Sequence, residues 1–171
     1  MIAPEKVRAR AAEKEDENLA FRRYLKNHAD EDELDAYFQK WHVALFADFD
    51  CSKCRNCCTM YRGSIPREDV ARDAAHMGMT EAVFVEQYLQ EKMTDGNYET
   101  KHEPCDFLTT DGACALGDCK PDSCKTFPYT DQPGRLFSLY SVLSVVEVCP
   151  VAFEIFERVK EEYHWRYRRR R

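Results

Sequence analysis

Glycine is scarce in this chain, six of 171 residues, and none of the six builds a G-x-G-x-x-G turn after an apolar run. A Rossmann-type pocket for NAD or S-adenosylmethionine is therefore not indicated. No apolar run approaches the roughly 20 residues that a membrane helix needs, so no membrane association is expected. Basic charge is not in excess: 25 Lys and Arg stand against 31 Asp and Glu, a formal net charge of −6. That balance gives no reason to expect polyanion binding. The start, Met1-Ile2-Ala3-Pro4-Glu5-Lys6, carries no apolar segment of signal-peptide type. The chain is expected in the cytoplasm, where clustered cysteines bind metal or do redox chemistry more often than they form disulfides.

Cysteine is abundant, with nine residues. Cys51, Cys54, Cys57 and Cys58 fall together as C-x2-C-x2-C-C. Thiolates are soft ligands that suit zinc, Cu(I) and iron–sulfur centres. The run is closer to iron–sulfur ligation than to a zinc ribbon, which offers separated C-x2-C pairs. It is expected to be a loop winding around one centre. Neighbouring side chains in an extended or loop segment diverge, so Cys57 and Cys58 are expected to face two adjacent centres. Cys105, Cys114, Cys119, Cys124 and Cys149 supply further thiols. Two four-thiolate sites need eight ligands, which leaves one cysteine spare.

Periodicity predicts a charged helix over residues 4–27 with Phe21, Tyr24 and Leu25 on its apolar face. Asp30 is a candidate N-cap for a helix whose stripe is Leu34, Phe38, Trp41, Leu45 and Phe49. That stripe is expected to pack against the cysteine-rich core. Pro66 opens a helix to about Met77, Gly78 ends it, and Thr80 caps another through about Glu91. Asp111-Gly112 predicts a two-residue hairpin turn with Thr109 opposite Cys114. The β-branched run 136–148 reads at least partly as a strand, and a final helix is expected over about 151–167.

In this order the pieces resemble the YkgJ-type cysteine-cluster family, a zinc- or iron-chelating domain. Its pattern is C-x2-C-x2-C-C, a CPFL segment, a GxCxIY arm, an RPxxCRxFP turn and a last Cys-Pro. Here these read Cys51/Cys54/Cys57/Cys58, Pro104-Cys105-Asp106-Phe107-Leu108, Gly112-Ala113-Cys114-Ala115-Leu116, Lys120-Pro121-Asp122-Ser123-Cys124-Lys125-Thr126-Phe127-Pro128 and Cys149-Pro150. The sequence departs from the pattern where Gly117-Asp118-Cys119 follows Leu116 and where Lys120 replaces arginine. The resemblance implies metal ligation by Cys51, Cys54, Cys57, Cys58, Cys105, Cys114, Cys124 and Cys149, with Cys119 the spare thiol.

The expected fold is α+β and mainly helical: a single domain, 1–171, whose helices clamp a cysteine-rich, hairpin-containing metal-binding core. Its parts are N-terminal helices at 1–50, the cysteine core at 51–150, and a C-terminal helix with a basic tail at 151–171. The expected function is a cytoplasmic metal-binding protein. It holds iron, as an iron–sulfur cluster or as iron, or alternatively zinc. The other reading is an enzyme or accessory subunit that uses the cluster in a redox or protein-modification reaction; the family's link to lysine methylation implies the latter. Metal ions are the expected partners, with room for an unidentified protein. Nucleic acid is not expected, although Trp165, Tyr167 and the run Arg168-Arg169-Arg170-Arg171 have the make-up of a basic, aromatic contact. Terminal charge runs are usually solvated. His102, three residues before Cys105, is a secondary ligand candidate, and His42 is expected to be packed or exposed.

Overall fold

Lys14 interrupts what the sequence presents as one N-terminal helix, dividing it into α1 (Val7–Glu13) and α2 (Glu15–His28) after a 3₁₀ turn at Pro4–Lys6. The computed structural model describes residues 1–92 and 95–168; Arg169, Arg170 and Arg171 of the basic tail lie outside the described residues. The protein is mainly helical with a small three-stranded antiparallel sheet. It divides into two units: Met1–Asp50 with Pro128–Arg171, and Cys51–Phe127.

Among the described residues, the regular structure of the first unit is helical. Asp30 caps α3 (Glu31–Phe46) by accepting a hydrogen bond from the Glu33 N–H at 3.0 Å. Leu34 and Phe38 of its stripe are fully buried, while Trp41, Leu45 and Phe49 are half-buried. Within this unit, α3 packs on α10 (Pro150–Glu162), whose Val151, Ile155, Phe156 and Val159 are all buried. The Phe21 ring meets Phe156 edge-on at 5.4 Å, which seals α2 to the same helix.

The run 136–148 is a correction. It forms a helix, α9 (Leu139–Val146), rather than a strand. Leu139, Val142 and Val146 recur at helical spacing and are buried, while Tyr140 faces solvent. Packing one face against α10 outweighs the β propensity of the valines. Pro150 occupies the first turn of α10, where a missing N–H costs nothing. That helix ends at Glu162, short of the expected 167.

The second unit contains α4 (Cys51–Cys54), α5 (Asn56–Met60), β1 (Ser64–Ile65), α6 (Val70–His76), α7 (Glu81–Tyr88), β2 (Leu89–Glu91), β3 (Tyr98–Thr100) and α8 (Asp122–Lys125). Gly78 takes φ 70° and closes α6 as a Schellman motif, with Met79 N–H bonded to Ala74 O and Gly78 N–H to Ala75 O. Thr80 caps α7 as expected. That helix stops at Tyr88, because Leu89–Glu91 turns extended to pair with β3. The sheet order is β1-β3-β2, with Ser64 opposite Glu99 and Gln90 also opposite Glu99. Ile65, Val70, Ala74, Phe84, Leu89, Phe107 and Leu116 form the core beneath it.

The hairpin also differs in register. Gly112 N–H bonds to Thr109 O, Gly112 takes φ 80°, and Thr109 N–H bonds to Ala113 O. This is a three-residue loop with glycine in the left-handed position, not a two-residue turn. Cys114 is therefore opposite Leu108 rather than Thr109. One extra loop residue shifts every partner by one.

Candidate metal centre

The cysteine motif is helical, where a loop was expected. Cys51–Cys54 makes one turn, Arg55 reverses into the left-handed region at φ 53°, and Asn56–Met60 makes the next. The turns are tied by Arg55 N–H to Cys51 O at 3.2 Å and Thr59 N–H to Arg55 O at 3.2 Å. Successive side chains on a helix are separated by roughly 100°, not by the near reversal of a strand. The Cys57 and Cys58 sulfurs consequently lie only 3.9 Å apart. Two thiolates about 2.3 Å from one tetrahedral ion are separated by about 3.8 Å. The two sulfurs lie closer than the expected divergence implied, at a spacing compatible with ligands on a shared ion.

Two further thiols are delivered by the turn that follows β3 and by α8. Cys105 N–H donates to Cys58 O at 2.7 Å. Gly63 precedes β1 and is locked to Thr100, which donates its N–H to Gly63 O at 3.0 Å and accepts the Gly63 N–H at its hydroxyl at 3.1 Å. A Cβ on Gly63 would lie 3.7 Å from the Cys124 sulfur and 4.0 Å from the Cys105 sulfur. Both thiols therefore face one stretch of bare backbone. Ser123 Oγ donates to Ser64 O at 3.3 Å and fixes α8, and with it Cys124, beside β1.

Electrostatics tie these groups together. A hydrogen bond with Cys57 holds the Cys58 thiol down at about 6; burial opposes this, and the positive charges of Lys120 and Arg55 assist. Burial pushes the Cys124 thiol up to about 11, against a hydrogen bond from Ser123. Burial likewise raises Cys105, against the Phe107 N–H and with the charges of Cys58 and Cys114 adding to the rise. Cys54 is raised by burial as well, against the Asn56 N–H and with the charge of Cys58 adding. The charge of Cys58 thus reaches Cys54, Cys105 and Cys124, and that of Cys114 reaches Cys105.

The remaining candidates stand differently. Cys51 is exposed at the start of α4. Cys149 belongs to the helical unit, is buried, and caps α10, its sulfur accepting the Ala152 N–H at 3.5 Å. Cys119 ends a 3₁₀ turn, Gly117–Cys119, and its carbonyl accepts from Arg72 at 3.0 Å. His102 is exposed, with its ring bonded to Asp106 at 2.6 Å. His42 bonds Thr130 at 2.8 Å and packs on Phe46.

Among the described residues, no three His, Cys, Asp or Glu side chains are gathered tightly enough to hold an ion as they stand. No cysteine pair among them is joined as a disulfide. The donor set nonetheless fits zinc or iron. It consists of soft thiols, two of them receiving backbone N–H groups, with Arg55 and Lys120 offsetting negative charge. Gly63, Thr100 and Arg55 are parts of this site that the sequence did not single out. No spacing rule flags them, because they act through backbone approach and hydrogen bonds to thiols.

The position of Cys119 leads to a prediction. Cys119→Ser is expected to leave metal content within about 10% of the parent, since that turn is anchored through Arg72 and backbone bonds rather than through the thiol group. Elemental analysis of the purified variant checks this. Metal loss equal to that of Cys54→Ser would make Cys119 a ligand.

A helical α+β protein carrying such a thiol cluster is of the metal-binding class. The model of the family described as "CxxCxxCC: Putative zinc- or iron-chelating domain" matches residues 50–166, more than half of the chain, and the protein belongs to that family. No curated protein and no solved structure matches the chain.

Proposed function

We propose that this is a cytoplasmic protein that binds iron, held as an iron–sulfur centre, through thiols of the Cys51–Phe127 unit. The ligands are drawn from Cys51, Cys54, Cys57, Cys58, Cys105, Cys114 and Cys124. The observations that carry the reading are the 3.9 Å spacing of the Cys57 and Cys58 sulfurs, the bond from the Cys105 N–H to the Cys58 carbonyl, and the approach of the Cys105 and Cys124 thiols to Gly63. The seven candidate thiols outnumber the four that close a structural zinc site, which supports a centre of more than one metal atom. The C-x2-C-x2-C spacing supports iron–sulfur ligation in the same way. The cytoplasm would keep the thiols reduced and available. Cys149 is left to its capping role.

Purification without oxygen, followed by elemental analysis and a visible spectrum, tests the proposal. Iron with acid-labile sulfide, and a visible absorption that bleaches on reduction, is expected. A colourless protein with stoichiometric zinc would replace iron by zinc, and a protein that takes up neither would overturn the reading.

Metal removal gives a second check. After β3 the second unit consists largely of turns, one isolated bridge and the four-residue α8, so ligation supplies much of its order. Limited proteolysis of chelator-treated protein is expected to cut residues 98–127 at least about tenfold faster than the loaded protein, while α2 and α10 persist. Equal cleavage rates with and without metal would show that the apolar core alone orders this unit.

A further inference from the structure

Arg55 stands at the break between the two cysteine turns in a conformation that glycine or asparagine adopts more readily. If reversal of the chain were all that this position required, glycine would serve with less strain. The side chain is engaged elsewhere. Its Nε donates to Ser52 O, and its guanidinium lies over Gly112 in the hairpin loop. A methyl group on Gly112 would run into Arg55 Nη1 and Cζ and would sit 2.8 Å from Arg55 Cδ. Gly112 therefore has two reasons to be glycine, its φ of 80° and the guanidinium above it. The Asp111 carboxylate next to it feels the Arg55 charge, as does the Cys58 thiol.

We propose that Arg55 is a positioning residue: its guanidinium, seated on Gly112, latches the C-x2-C-x2-C-C turns to the hairpin that carries Cys114. The thiols of two separate segments are thereby held in fixed relation to each other before any metal arrives. Such preorganisation raises affinity by lowering the ordering cost of binding. The inference rests on the metal-binding reading above, and its core is a contact between two named residues that can be tested without metal.

The test is a double-mutant cycle with Arg55→Asn and Gly112→Ala in the full chain. Asparagine tolerates the left-handed backbone, so the first change removes the guanidinium without adding strain. The φ strain of alanine at 112 acts equally in both backgrounds and cancels in the cycle. Zinc affinity, read by competition with a chromophoric chelator, is expected to fall about tenfold in Arg55→Asn, the loss of the ordering that the seated guanidinium supplies. Gly112→Ala is expected to weaken binding strongly in the parent and much less once Arg55 is gone. Equal effects of Gly112→Ala in the two backgrounds would overturn the latch.

The same cycle read by urea midpoint on metal-free protein separates the two ideas. Coupling there, in a parent that takes up no metal, would sink the metal reading and keep the latch. Additivity there, in a parent that does bind metal, would do the reverse. If Gly112→Ala does not fold, Arg55→Asn decides alone. Alkylation of metal-free Cys114, followed by mass spectrometry, should be severalfold faster than in the parent, with Cys149 of the other unit unchanged; Cys58 is not used, because losing the Arg55 charge slows its reaction whatever its exposure. An unchanged rate at Cys114 would overturn the proposal.

Discussion

Cys58→Ser is expected to lower iron or zinc affinity by more than about a hundredfold, beyond the loss that follows removal of a supporting group. The charge of Cys58 reaches Cys54, Cys105 and Cys124, its sulfur lies 3.9 Å from that of Cys57, and its carbonyl receives the Cys105 N–H. Serine preserves the backbone bond but offers a hard oxygen in place of a soft thiolate. The folded helical unit should therefore survive while metal is lost. Cys57→Ser is expected to deplete the same centre and to leave the same residual spectrum, because the sulfur spacing matches two ligands on a shared ion. Metal stoichiometry and visible spectra of the two variants, taken beside the parent, make the check. Half the metal lost in each, with different residual spectra, would show that the adjacent thiols serve separate centres.

The second large effect lies in the helical unit. Lys160 is 5% exposed, and its ammonium donates to Glu17 at 2.8 Å, Asn18 at 2.7 Å and Glu157 at 2.6 Å. All three of its N–H groups are thus used. Lys160→Met keeps most of the volume but strands two carboxylates and the buried Asn18 oxygen, with Lys14 as the neighbouring cation that remains. Breaking a buried pair costs about 3–5 kcal/mol. The carboxylate side chains are 24% and 23% exposed and solvent screens part of their charge, so about 2–3 kcal/mol is expected here. Urea unfolding measures it. A change below about 0.5 kcal/mol would show that water replaces the ammonium without penalty.

Adding Glu17→Gln to Lys160→Met should recover part of the loss, since it removes one stranded charge. The same group sets a pH dependence. Burial pushes the Glu17 carboxyl up, but the hydrogen bonds and charges of Lys160 and Lys14 outweigh burial and hold it below the usual carboxylate value. A depressed folded value means that its contribution is present above the unfolded value, near 4.3, and is lost as pH falls through the folded one. The parent should lose this stability in acid below about pH 4, and Glu17→Gln should show a shallower acid loss.

The sequence by itself determined the composition of the thiol cluster, the family, and the long helices. Asp30 and Thr80 read correctly as caps because a cap is a local bond between a side chain and an N–H three residues on. Phe21, Leu25, Leu34 and Phe38 read correctly as core because a helix repeats its buried face within a few turns. Tertiary structure decided the rest. The valines around 142–146 became helix because one face of that segment packs on α10. Leu89–Glu91 left α7 because β3 offered backbone partners that lie seven to eleven residues away, at the register of Gln90 and Glu99. The pairing of Cys114 with Leu108 turned on the left-handed backbone of Gly112, which closes a loop one residue longer than the expected turn. At the site itself, spacing named the thiols but not their surroundings. Gly63 and Gly112 matter through side chains brought to them from distant stretches of chain, Cys105 and Cys124 to the first and Arg55 to the second. A one-dimensional pattern records which donors are present; which backbone lies bare beside them is fixed only when separate segments pack together.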